Sequence, residues 1–341
     1  QGHSFDVLLA PQFRKGMLFD DWLFLRGFTA PMFLVLAGIS FSISTMRRWD
    51  CYTHATHQVA RRVARFSLFT LLGYSMHLPR GTFRDLLSLD AASWQSGLQV
   101  DVLQCIGLTL GVLQLLVMIV RTPARLARVA AGLSASIALI APIVWNVHWT
   151  RHLPLFFAAY LDGNTGSLFP LFPWAGYIFL GAAAGYAYLR TPAVLFSRTL
   201  FASSAAAICL SLLMNKLPLS VYKHIDIWRT SPALFLGRAG CVCLLLAVID
   251  FITRAASIPD HRVRFLAQES LSIYFIHICI LYGTAWNLGF RQLIGPTLSP
   301  LPALALIALL MSAMVVLAWT WNGFKRSGPR RMLLAWGRTA F

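Results

Sequence analysis

The sequence predicts an all-α fold: a polytopic transmembrane helix bundle, about nine complete spans plus the end of a first helix. Three observations predict it. Of 341 residues, 57% are hydrophobic and 12% are charged, about half the charged share with which a soluble domain covers its surface. Mean hydropathy is +0.66. Apolar segments of roughly bilayer length recur from one end of the chain to the other. Lipid offers backbone groups no partner, so these segments must be helices rather than open strands.

Residues 1–9 read as the outer end of a helix that begins before Gln1, and a cleaved signal peptide would leave a similar start. The spans expected after it cover about 27–46, 64–79, 101–120, 129–146, 173–189, 200–214, 232–252, 268–287 and 301–322. The first carries Gly27, Ala30, Ala37, Gly38 and Ser40, small residues that let helices approach closely. Pro31 falls in its first turns, where proline is tolerated. The second and the 200–214 span are short, whereas 232–252 and 301–322 are continuous. In the third, Asp101, Gln104, Gly107, Gly111 and Gln114 recur at three to four residues, so acid, amides and glycines share one stripe facing the bundle interior. Pro173 suits the first turn of its span, and Trp174 the interface belt. Residues 1–324 are expected to form one domain, with 325–341 a basic cytoplasmic tail.

Net charge is +17. In a soluble protein this would suggest nucleic acid, but basic residues also collect in cytoplasmic loops, so no nucleic-acid partner is expected. Arg47, Arg48, Arg61, Arg62, Arg65, Arg121, Arg125, Arg128, Arg190, Arg198, Arg254, Arg262, Arg264, Lys325, Arg326, Arg330, Arg331 and Arg338 fall on one side. Fewer fall on the other: Arg14, Lys15, Arg26, Arg80, Arg84, Arg151, Lys216, Lys223, Arg229 and Arg291. The richer side, with the C-terminus, is expected in the cytoplasm. The six cysteines lie mostly within apolar segments and read as small hydrophobes, with no metal site or disulfide framework expected.

Polar groups at membrane depth are costly unless they face protein or water, so they are the candidate site residues. His3 and Asp6 lie three apart on one face, and a carboxylate there can orient an imidazole as a general base; an interfacial histidine with a capping aspartate would look the same. Arg26 sits at the outer mouth of 27–46, as a site residue or a snorkelling anchor. Asp101 is either a site group or a charge complementing the helix dipole. Ser270, Tyr274 and His277 share a face of 268–287, and His277, near mid-span, needs a partner. Arg238, inside 232–252, needs one too, with Asp6 or Asp101 at suitable depth. The outer loop 147–172 is aromatic, which suits a sugar-binding rim or the lipid boundary alike.

Taken in order, several motifs carry a resemblance. They are His3, then Arg26-Gly27-Phe28-Thr29-Ala30-Pro31-Met32-Phe33-Leu34-Val35-Leu36-Ala37-Gly38, then Val102-Leu103-Gln104-Cys105-Ile106-Gly107. Phe169-Pro170-Leu171-Phe172-Pro173-Trp174 and Glu269-Ser270-Leu271-Ser272-Ile273-Tyr274-Phe275-Ile276-His277 follow. The chain resembles the heparan-α-glucosaminide N-acetyltransferase-like family, within the transmembrane acyltransferase superfamily. The resemblance implies transfer of an acetyl or other short acyl group from cytosolic acyl-CoA, acetyl-CoA above all, to a sugar or amino-sugar acceptor on the far side. It implies His3 as the catalytic centre with Asp6 beside it, and a bacterial inner-membrane setting. Arg26 or His277 would stabilise the developing oxyanion. Arg47, Arg48, Arg61, Arg62 and Arg65 would hold the donor phosphates, although the cytoplasmic charge rule also explains them. Asp101, Gln104, Arg238, Trp174 and Tyr274 are the expected substrate-contacting or structural polar residues. Lipids, acyl-CoA and the acceptor are the expected partners, and an oligomer is compatible with the sequence. A transporter or flippase without acyl transfer, or a non-catalytic scaffold, is the competing reading.

Overall fold

The computed structural model describes residues 2–78, 90–216, 227–255 and 264–327. Helices dominate. Among the described residues the only extended pairings are single bridges, Leu9 with Leu298 and Thr284 with Asn287. The main helices, in chain order, are α1 (Gly2–Leu8), α2 (Met17–Arg26), α3 (Thr29–Met46), α4 (His57–His77), α5 (Val102–Val120), α6 (Pro123–Trp145), α7 (Leu171–Arg190), α8 (Ala193–Lys216), α9 (Pro232–Ala255), α10 (Ser270–Tyr282), α11 (Phe290–Leu293) and α12 (Pro300–Ser327). The chain divides into two compact units, residues 23–256 and residues 1–22 with 257–341. Arg80, Arg84, Lys223, Arg262, Arg330, Arg331 and Arg338, counted above for sidedness, lie outside the described residues.

Each expected span overlaps a helix, but among the described residues six stretches have the length and apolarity to cross a membrane: Met17–Met46, Val102–Val120, Pro123–Trp145, Ala193–Lys216, Pro232–Thr253 and Pro300–Lys325. Thr56 caps α4 by accepting from the Val59 amide, so this helix starts at His57 and takes in Arg61, Arg62 and Arg65. The span expected over 268–287 is shorter than its apolar run: α10 has 13 residues and stops at Gly283, whose φ of 73° closes the turn. Leu210, Leu212 and Leu213 on α8 and Leu309, Val316 and Trp319 on α12 are exposed, as side chains solvated by lipid are. The protein is an integral membrane protein.

In the 23–256 unit, α7 packs against α3 and α6, α8 against α9, and α4 against α5. Small residues set the α3–α7 distance. A Cβ on Gly38 would meet the Ile178 carbonyl, and one on Gly181 the Val35 carbonyl. Along α5, most of the polar stripe turns inward: Gln104 and Gln114 are buried, and Gly107 lies against Thr70 and Phe66 of α4, whereas a Cβ on Gly111 would meet nothing within 4 Å. Asp101 is the N-cap of α5, with a reciprocal capping box to Gln104.

In the other unit, α10 and the short helix Arg264–Gln268 pack on α12. Glu269 between them is 1% exposed. Its carboxylate accepts from Lys325 Nζ at 2.6 and 2.7 Å and from Asn322 Nδ2 at 3.1 Å. The pair is asymmetric, because Lys325 is 47% exposed and can turn to water while Glu269 cannot.

Two outcomes follow from this packing. Gly38→Val and Gly181→Val should each destabilise the protein by about 1–3 kcal/mol or more, read as a lower melting temperature in detergent. Gly132→Ala, where a Cβ meets nothing within 4 Å, should not. Lys325→Met, which strands a buried carboxylate, should lower the melting temperature more than Glu269→Gln, which strands a cation that water can reach.

Candidate functional site

His3 and Asp6 ride on α1, a helix too short to hold itself. Val7 and Leu8 bury with Leu281, Ile307, Leu310 and Met314. The Ala10 amide donates to the Leu298 carbonyl at 3.0 Å, and the Leu298 amide to Leu8 at 2.9 Å. Arg14 then closes the helix end: Nε donates to the Leu9 carbonyl at 3.0 Å, and Nη2 to the Asp6 and Leu9 carbonyls at 2.9 and 2.7 Å. Carbonyls that a helix C-terminus leaves bare are thereby satisfied by a cation, as the dipole favours.

This anchoring sets His3 against α10. Its Nδ1 lies 3.2 Å from the Tyr282 hydroxyl. Its ring centre lies 5.7 Å from that of Tyr282 and 5.8 Å from that of His277, and the Tyr274 ring is 5.5 Å from His277. Two imidazoles and two phenols therefore cluster at the α1–α10 contact. His277 Nδ1 lies 2.8 Å from the Ile273 carbonyl. A carbonyl only accepts, so Nδ1 carries a proton, and in the neutral form of the ring the lone pair is at Nε2.

Beside this cluster is a cavity of ≈ 420 Å³ lined by Asp6, Val7, Pro11, Arg14, Tyr282, Arg291 and Pro296. Tyr282 belongs both to the cavity wall and to the His3 hydrogen bond. The cavity lies inside the unit formed by the two ends of the chain. It places a carboxylate, a phenol and two guanidinium groups around a space the size of a small polar ligand. Among the described residues no group of three or more His, Cys, Asp or Glu could hold a metal ion.

The other expected site residues lie in the 23–256 unit. Arg26 is half-buried at the end of α2. Arg47, Arg48, Arg61 and Arg65 are exposed, whereas Arg62 turns inward. Arg62 donates to the Thr45 hydroxyl at 2.7 Å, the Ser44 hydroxyl at 3.0 Å, the Phe41 carbonyl at 3.2 Å and Gln114 Oε1 at 3.3 Å. Its guanidinium also sits over the Phe41 and Tyr52 rings at 4.1 and 4.3 Å. It is a strut joining α3, α4 and α5. Asp101 caps α5 and lies 3.6 Å from His77 Nε2. Gln104 bonds back to the Gln99 carbonyl. Arg238 engages the hydroxyl of the buried Tyr177. Trp174 joins a ladder of rings, 4.7 Å from Phe169 and 6.0 Å from Tyr177. In the loop nearby, burial pushes the Asp162 carboxyl above its usual range.

Sequence reasoning did not find Tyr282, Arg14, Arg291 or His77. Tyr282 lies five residues beyond His277, off the three-to-four spacing that marks a helical face. Arg14 and Arg291 resembled loop charges, and their signal is tertiary.

The family of heparan-alpha-glucosaminide N-acetyltransferase, catalytic, matches residues 3–225, more than half of the chain. No curated protein and no solved structure gives a match. The matched region begins at His3 and stops before α10, so the fold adds His277 and Tyr282 to a histidine that the family match contains. The chain belongs to the heparan-alpha-glucosaminide N-acetyltransferase family, a family of membrane acetyltransferases.

Proposed function

We propose that this protein moves an acetyl or other short acyl group from cytosolic acyl-CoA to a sugar or amino-sugar acceptor on the opposite face, in a bacterial inner membrane with the C-terminus cytoplasmic. The observation that carries the reading is the hydrogen bond between His3 and Tyr282, at the wall of a polar cavity, in a chain of this family. His3 takes the proton from the acceptor nitrogen or oxygen as that atom attacks the thioester carbonyl. The carbon–sulfur bond breaks, and coenzyme A leaves as thiolate and gains a proton. A transient acyl group on His3 is the two-step variant of the same exchange.

Tyr282 positions the His3 ring through Nδ1, and in this reading Nε2 is the atom that takes the acceptor's proton. His277, its own Nδ1 proton committed to Ile273, serves as a second acceptor of protons beside His3. Asp6 takes a hydroxyl or ammonium hydrogen of the acceptor in the cavity. Arg47, Arg48, Arg61 and Arg65 are exposed to meet the donor phosphates. Arg62 serves by holding three helices together.

In the full protein with labelled acetyl-CoA, His3→Ala should lower turnover by about 10²- to 10⁴-fold, the usual worth of a general base, with an unchanged melting temperature. Activity retained in that variant refutes the assignment. Tyr282→Phe should lower kcat by a smaller factor and shift the pH profile. The arginines separate by parameter. Arg61→Gln with Arg65→Gln should raise the donor KM at constant stability, and Arg62→Met should instead lower the melting temperature.

A further inference from the structure

The cavity beside His3 holds more positive charge than an uncharged sugar calls for. Its wall contains Arg14 and Arg291 against one carboxylate, Asp6. Arg14 is rigid: Nε and Nη2 are bonded to the carbonyls at the end of α1. Among the described residues no hydrogen bond engages its Nη1. Arg291 is exposed on α11, with its guanidinium carbon 6.0 Å from the Tyr282 ring centre. Among the described residues it has no ion pair and no hydrogen bond. A guanidinium held over a phenol ring and left without an anion has two parallel N–H groups for an incoming oxyanion.

From this we infer an oxyanion subsite: Arg14 Nη1 and Arg291 together bind a phosphate, sulfate or carboxylate group in the cavity that adjoins His3. The inference deepens the acceptor reading and rests on it only for what the anion is attached to. Asp6, in the same wall, would repel a bare anion. It therefore selects a ligand that also brings a hydroxyl or an ammonium group to that carboxylate. An amino sugar with an acidic substituent meets both demands, and so does an anionic lipid headgroup rich in hydroxyls.

The full chain in phosphatidylcholine nanodiscs provides the test, by binding and without catalysis. Glucosamine 6-phosphate should bind about 10-fold or more tighter than glucosamine, the worth of one charge-assisted pair. Arg291→Gln should remove that preference, and Arg291→Lys should keep part of it. If the source is lipid, the sugar phosphate gives no preference. Replacing part of the phosphatidylcholine by phosphatidylglycerol then raises the melting temperature of the wild type and leaves Arg291→Gln unmoved. Either pattern supports the subsite. Anion effects absent from both arms, or equal in wild type and Arg291→Gln, overturn it. Because neither arm measures acyl transfer, an inactive His3 leaves this result intact, and a failed anion test leaves the acyltransferase reading intact.

Discussion

Hydrocarbon cannot accept or donate a hydrogen bond, and the buried charged groups described above are arranged under that constraint. Arg62 shows it most fully. A guanidinium beside α3 and α5 spreads its donors over two hydroxyls, a carbonyl and an amide, and lays its face on aromatic rings. Glu269 shows it with the opposite charge, surrounded by Lys325 and Asn322. Arg14 shows it for backbone, covering the carbonyls at the end of α1. Arg62, Glu269 and Arg14 are thus satisfied from within the protein, and the cavity beside Tyr282 gathers polar groups for a different end.

That contrast separates frame from chemistry. In the unit with the larger share of the chain, acid, amide and guanidinium groups cap, bridge or wedge helices: Asp101 at α5, Gln114 to the Tyr52 carbonyl, Arg238 to Tyr177. In the unit built from the two chain ends, His3, His277, Tyr274 and Tyr282 face one another. The two histidines meet only where α1 packs on α10, which couples the chemistry to that packing.

Much of this was legible in the sequence. Hydropathy located the long apolar helices, because lipid solvation rewards an uninterrupted apolar run whatever its neighbours. Three-to-four spacing placed Gln104 and Gln114 on the inward face. His3 and His277 were both legible as costly polar residues at depth, though spacing paired His3 with Asp6 and had no means to bring in Tyr282. Arg62 was indistinguishable from Arg61 and Arg65 on the page, since all three are helical arginines near one membrane surface. Only the rings of Phe41 and Tyr52, brought over from other segments, divide them. The extent of α10 was overread for a related reason: a glycine's backbone angle, not hydropathy, ends the helix.

The brevity of α10 has its own effect. Thirteen residues reach about 20 Å, some 10 Å less than the oily layer is thick. The chain after Tyr282 folds back on itself. Asn287 Nδ2 reaches the Cys279 carbonyl and Gln292 Nε2 the Tyr282 carbonyl, at 2.8 and 2.7 Å. Amides, rather than another turn of apolar helix, therefore cover the helix end. The helix thus gives way to a polar turn directly after Tyr282, the residue whose hydroxyl meets His3.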